Sequence, residues 1–175
     1  METQETINTE FLNDYDDKVV ALAQHLNINL EPELPENENF YKLDRELYDT
    51  EEEYQEEQAE LDKEKEQDMA DAIQEIIDEL ESIVNDYDNV FSYYNEEYIV
   101  VTDSEADDLW EQELDNYIEE CILPEMPEHL QNYFDEDAWK SDAKIDGRGH
   151  AISRYDGCEY EEEVNGTTYY IYRIN

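Results

Sequence analysis

Apolar positions along the chain fall into blocks of different period. Phe11, Tyr15, Val19, Leu22, Ala23 and Leu26 recur at helical spacing and predict a first helix within residues 7–30. Pro32 and Pro35 break it over 27–35, since proline cannot continue a helix. Between 43 and 67 the apolar positions Leu43, Leu47, Tyr54 and Leu61 are sparse, yet Glu, Gln, Lys and Ala all favour helix. That segment runs without a breaker into Ala70, Ile73, Ile76, Ile77, Leu80, Ile83, Val84 and Tyr87, which read as one continuous helical stripe.

Past Asn89 the period changes. Residues 97–102 are rich in β-branched side chains and predict a short buried strand. Thr102 followed by Glu105 fits a capping box and opens a helix over 103–122, ended by Pro124. Its inward face is Ala106, Trp110, Leu114, Tyr117, Ile118 and Cys121. A shorter helical piece covers 129–139, and Gly147 and Gly149 mark a loop. Residues 159–164 and 167–174 flank Asn165-Gly166, a pair that supplies the two positive φ angles of a type I′ hairpin turn. The return strand places Tyr170, Tyr172 and Ile174 on one face and Tyr169, Ile171 and Arg173 on the other. These elements predict an α+β fold: an acidic helical region over 1–88, then an acidic α+β domain over 89–175. In the second, helices pack on a small antiparallel sheet that ends in a β-hairpin.

Composition sharpens this picture. Among 175 residues, 53 Asp and Glu face ten Lys and Arg, for a formal charge of −43. The 37 Leu, Ile, Val and Phe stand just above the level at which so charged a chain is expected to be disordered. Fifteen Tyr, two Trp and only four each of Gly and Pro point to a folded chain. Nothing is long and apolar enough to span a membrane, and the N-terminus lacks the basic and apolar regions of a signal peptide, so a cytoplasmic compartment is expected. The charge excludes binding of DNA, RNA or anionic lipid through a broad basic face. Cys121 and Cys158 have no CxxC spacing and are read as two reduced core thiols, not a disulfide.

With 53 carboxylates, the pairing of any two carries no catalytic information. His25, His129 and His150 are scattered, His25 within an apolar helical pattern that makes it structural. No nucleophile elbow, phosphate loop or dinucleotide fingerprint occurs. Asp142, Lys144, Asp146 and Gly147 fall at positions one, three, five and six of a calcium-loop template. Lys144 there puts a cation where a ligand belongs, and Ser153 stands at position twelve. No metal or other cofactor is expected. The densest reactive set is Asp146-Gly-Arg-Gly-His150, with Arg154, Asp156 and Gly157 close behind. An enzyme would use His150 as general base, Asp146 or Asp156 to orient it, and Arg148 as an anion clamp. The preferred reading is plainer: Arg148 and Arg154 neutralise nearby carboxylates, the glycines shape turns, and no residue is catalytic.

Like charges on a compact domain repel and destabilise it, and solubility needs a net charge of only about 2 to 8. A halophile's solvated surface is one explanation, although the expected enzyme motifs are missing. The arrangement of the acids suggests another. Between Asp103 and Glu120 stand nine acids and no base, with Asp108, Glu111, Asp115 and Glu119 along one side. Glu51, Glu52, Glu53, Glu56, Glu57, Glu60 and Glu64 form a second rail. Carboxylates four apart on a helix repeat every ~6 Å, close to the phosphate spacing of a DNA strand. Tyr48, Tyr54, Tyr93, Tyr94 and Tyr133 lie among acids as candidate contact anchors.

In size, composition and helical acid rails the chain resembles phage-encoded DNA-mimic proteins of the antirestriction and anti-CRISPR kind, which block the DNA-binding surface of a host defence nuclease. The stretch 101–175, with TDSEADDLWEQELDNYIEECILPEMPE, DGRGHAISRYDG and NGTTYYIYRIN, also looks like small acidic tailed-phage proteins of unknown role. The first likeness implies a non-enzymatic inhibitor in the nucleic-acid groove of a basic DNA- or RNA-binding protein. The alternatives are an acidic chaperone or adaptor for a basic protein, and a small enzyme centred on His150 and Arg148. A homodimer through the stripe from Ile73 to Tyr87 stays open. Neither nucleic acid nor membrane is expected as a direct partner.

Overall fold

A 3₁₀ turn, Glu10–Asp14, precedes helix α1, Asp17–His25, whose N-cap Asp16 accepts the Lys18 N–H. The computed structural model describes residues 10–34 and 41–175; residues 7–9 of the expected first helix, and Pro35, lie outside them. A second 3₁₀ turn, Arg45–Leu47, leads to α2, Glu51–Glu81, followed by strands β1, Ile83–Tyr87, β2, Val90–Tyr93, and β3, Glu96–Thr102. Helix α3, Asp103–Tyr117, continues as a π-helical turn, Ile118–Ile122, and a 3₁₀ turn, Leu123–Glu125. Then come α4, Glu128–Gln131, α5, Glu136–Ala143, a 3₁₀ turn, Lys144–Asp146, and α6, Arg148–Ile152. Strands β4, Tyr160–Val164, and β5, Thr167–Arg173, close the chain.

The chain divides into two units, Met1–Tyr15 with Ile28–Glu81, and Asp16–Asn27 with Ser82–Asn175. The boundary expected at residue 88 falls at 81/82, and α1 joins the sheet, not the acidic helix. The boundary shift has a direct cause. Ile83, Val84 and Tyr87 continue the helical spacing of α2 but form the edge strand β1, where Ile83 pairs with Tyr93 and Asn85 with Phe91. A buried Ile83 on one sheet face gains more than another exposed helical turn would.

The sheet is antiparallel, in the order β1-β2-β3-β5-β4. Register puts Phe91, Tyr98, Val100, Tyr169 and Ile171 on one face, and α1 packs there with Val20, Ala21, Leu22 and Ala23 buried. The other face carries Val101 and Tyr172, which form a core cluster with Ala106 of α3 and Ile152 of α6. The central strands are thus covered on both sides, which is why Val100, Ile171 and Tyr172 are sealed from solvent. In the closing hairpin Asn165 has φ 52° and Gly166 φ 78°, and Val164 pairs with Thr167 across the predicted two-residue turn.

Helix α3 begins at the predicted capping box: the Thr102 N–H and hydroxyl both donate to the Glu105 carboxylate, at 2.8 and 2.9 Å. Of its expected inward face, Ala106, Leu114 and Ile118 are buried, Trp110 is partly buried, and Tyr117 and Cys121 are exposed. Cys158 is exposed as well, and both cysteines are free, so neither is a core thiol. The π turn shifts the register past Tyr117, carrying Cys121 off the buried stripe. The helical piece expected over 129–139 is two short helices with a break between α4 and α5.

Candidate partner-binding surfaces

Helix α2 spans 31 residues, ~46 Å at 1.5 Å per residue. Only Ile76 and Leu80, in its last turns, are buried. In the first half Tyr54, Gln58, Leu61 and Lys65 are half-buried, and Glu51, Glu52, Glu53, Glu56, Glu57, Glu60 and Glu64 are all exposed. Hydrogen bonds along the surface support so acidic a helix: Gln58, Gln67 and Gln74 donate to Asp62, Asp71 and Asp78, each four residues on. The preceding strap steadies its start. Arg45 binds Glu51 at 2.9 Å and lies over the Tyr54 ring, Tyr48 meets Tyr54 edge-on, and the Tyr48 hydroxyl donates to Glu57. The Glu53 N–H donates to Thr50 Oγ1 at 3.2 Å. Hydrogen bonds from Gln55 and then Arg45 hold Glu51 below its ordinary carboxylate range. Among the described residues, Glu52, Glu56 and Glu60 form no such bond. Exposed and four residues apart, they make the open part of this rail.

The rail expected on α3 is different. Asp108 is exposed and Glu119 lies on the π turn, but Glu111 pairs with Lys140 and Lys144, and Asp115 with Lys140. The two middle carboxylates are neutralised by cations from α5 and the turn after it, so this side is not a continuous unpaired row. The other acids of α3 act the same way: Glu105 holds Lys18 at 2.9 Å, Glu113 holds Arg154 at 3.3 Å, and Asp103 and Asp107 hold Arg148. With Arg173 on Glu96, every Lys and Arg of the sheet-bearing unit sits on a carboxylate. Helix α3 collects the surrounding cations, and that draws α1, α5 and α6 onto it.

Arg148 is the most connected of these cations. Its guanidinium donates to Asp103 Oδ1 at 2.8 Å, Asp107 Oδ1 at 3.1 Å, and both oxygens of Glu159 at 2.9 and 3.3 Å. It lies 4.3 Å over the Tyr170 ring, while the Tyr172 hydroxyl donates to the same Glu159 at 2.5 Å. Burial pulls its pKa down, but the bonds to Glu159 and Asp103 hold it well above the ordinary value. An anion clamp needs free donors, and these are occupied. Asp156, the candidate orienter of His150, instead accepts the Ser153 hydroxyl at 2.7 Å, the Cys158 N–H at 2.9 Å and the Tyr160 hydroxyl at 3.2 Å. Burial pushes its pKa up, and these bonds pull it below the usual range. Gly149, read as a loop residue, lies within α6, where a Cβ would meet the Cys158 carbonyl carbon at 2.8 Å; close approach requires the glycine there. The calcium-loop template, 142–153, runs through the end of α5, a 3₁₀ turn and α6, broken at Gly147, with Lys144 on Glu111.

His150 opens into a cavity of about 470 Å³. One wall is α3 and the π turn, with Glu113, Leu114, Tyr117, Glu120 and Cys121; the facing wall runs from α5 to α6, with Trp139, Asp146, His150 and Arg154. The first set recurs at three- and four-residue steps, and the second does so once Ala143 is counted between Trp139 and Asp146, so two helical faces frame the cleft. Sequence reasoning grouped Asp146, His150 and Arg154 but missed their apposition to Tyr117 and Glu120, which come from another helix and its π turn. Of the candidate anchor tyrosines, Tyr94 and Tyr133 are 75% and 84% exposed, whereas Tyr48 and Tyr54 pack on each other. Tyr93 is half-buried and meets the Tyr94 ring edge-on at 4.6 Å. No helix among the described residues is long and apolar enough to cross a membrane. Comparison with protein-family models, with curated proteins and with solved structures found no match.

Proposed function

We propose that the protein is a DNA-mimic inhibitor that occupies the basic nucleic-acid-binding groove of a host defence or DNA-processing protein. The observation that carries this reading is the first half of α2, a helix that buries no side chain fully and keeps Glu52, Glu56 and Glu60 exposed and unpaired. Core packing does not account for such a segment, and folding stability would favour fewer like charges on it. Presented every ~6 Å along a rigid axis, these carboxylates match a row of phosphates and would release the partner's counterions as DNA does. Binding should therefore weaken steeply with salt. The α3 carboxylates contribute less, because Glu111 and Asp115 already have cations.

The test is capture of partners from a bacterial lysate at low salt, followed by challenge with duplex DNA. A nuclease or other DNA-binding protein released by salt and displaced by DNA is the expected result. Changing Glu52, Glu56 and Glu60 together to Lys should abolish capture. A single Glu→Ala change should cost less than about 1 kcal/mol, as an exposed ion pair does. A partner that DNA cannot displace, or loss of capture by one Glu→Ala change, would sink groove mimicry.

A further inference from the structure

The cleft between α3 and the α5–α6 segment has no part in the α2 rail, and its lining is chemically selective. We infer that it is a guanidinium pocket that seats an arginine side chain projected by the basic partner; this rests on the reading of the chain as a binder of basic proteins. Two observations carry it. The first is an aromatic pair that the core does not use. Tyr117 and Trp139 stack at 5.7 Å with planes 9° apart, Tyr117 is more than half exposed, and both line the cleft. A flat, weakly hydrated guanidinium stacks on such rings where a compact ammonium does so less well.

The second is charge. Arg154 is the only Lys or Arg lining the cleft, and Glu113 already holds it. Glu120 and Asp146 line opposite walls, and among the described residues neither has a hydrogen bond or ion pair. A carboxylate or phosphate ligand would meet that uncompensated pair, whereas a guanidinium can donate to both carboxylates. Glu120 and Cys121, three and four residues past Tyr117, share its cleft face on the π turn. π turns within helices are frequent at functional sites.

The experiment is an NMR titration of the whole chain with N-acetyl-arginine methylamide, following the two tryptophan indole N–H signals, assigned with a Trp139→Phe variant. The Trp139 signal should shift saturably, with Trp110 unmoved. The isosteric citrulline derivative and the lysine derivative should each bind about tenfold more weakly. Glu120→Gln with Asp146→Asn, both exposed positions, should weaken arginine binding about tenfold or more at unchanged melting temperature. An unmoved Trp139, equal binding of citrulline or lysine, or full binding by the double variant would each overturn the pocket. The titration needs no partner, so it fails or succeeds apart from the groove reading. Capture that survives reversal of Glu52, Glu56 and Glu60 would remove that reading and leave an arginine-responsive Trp139 in place.

Discussion

Single residues carry much of this fold because cations are scarce. Arg148 holds three carboxylates from α3 and the approach to β4, so removing it leaves Asp103, Asp107 and Glu159 facing one another. Arg148→Ala should cost about 2 kcal/mol or more, and Arg148→Lys about half of that, because a lysine keeps the charge but not the fork on Glu159. Urea unfolding of the two variants checks the order. His25 gives a pH-dependent counterpart. It sits between the rings of Tyr98 and Tyr160, with centroids 6.0 and 4.6 Å away. Burial lowers its pKa below the ordinary value, and nearby Glu162 and Asp156 only partly offset this. Below about pH 6.5 the unfolded chain takes up a proton that the folded chain resists, so this residue's contribution is full above that pH and lost as pH falls through the lower folded value. His25→Phe should therefore gain stability relative to the parent between pH 7 and pH 5; an unchanged difference would mean that His25 is not held neutral. The histidine was readable from sequence as structural because its helix pattern was apolar. The roles of Arg148 and Gly149 were not, since their partners lie elsewhere in the chain.

At the scale of elements, legibility followed turn chemistry. The closing hairpin was readable because Asn165-Gly166 fits only one kind of turn, and β3 because β-branched residues cluster in it. Strands β1 and β2 were hidden: their turns use Asp88-Asn89 and Tyr94-Asn95, without glycine, although Asp88 and Tyr94 adopt φ of 48° and 52°. The apolar residues of β1 also continued the helical spacing of α2. Asn165→Ala should destabilise the hairpin by about 1 kcal/mol, because alanine lacks the side-chain amide that makes asparagine tolerant of positive φ and that bonds Asp17. Asn165→Gly should cost less, because only the side-chain bond to Asp17 is lost. Amide exchange in β4 and β5 measures both, and equal losses would put the effect in the Asp17 bond alone. The exposure of the acid row on α2 was legible, being a property of one helix, but the bonds from Arg45 to Glu51 and from Tyr48 to Glu57 were not. The α3 row was misjudged because Lys140 and Lys144, which neutralise it, come from a helix that packs back on it.

For the molecule as a whole, a charge of −43 makes stability a function of ionic strength. Raising NaCl from about 0.01 M to about 1 M shortens the Debye length from ~30 to ~3 Å. Repulsion among 53 acids should fade faster than ten cations' worth of attraction, so the melting temperature should rise; a fall would show that the ion pairs on α3 dominate. The assignment of α1 to the sheet has a consequence of another kind. Residues 16–27 leave the ribosome well before some of the strands they cover, since β4 and β5 are made about 130 residues later. At ~5–20 residues per second the wait is on the order of ten seconds. Throughout it Val20, Ala21, Leu22 and Ala23 lack the β4–β5 hairpin they pack against. The sheet-bearing unit therefore completes its fold only once the hairpin of β4 and β5 has cleared the exit tunnel.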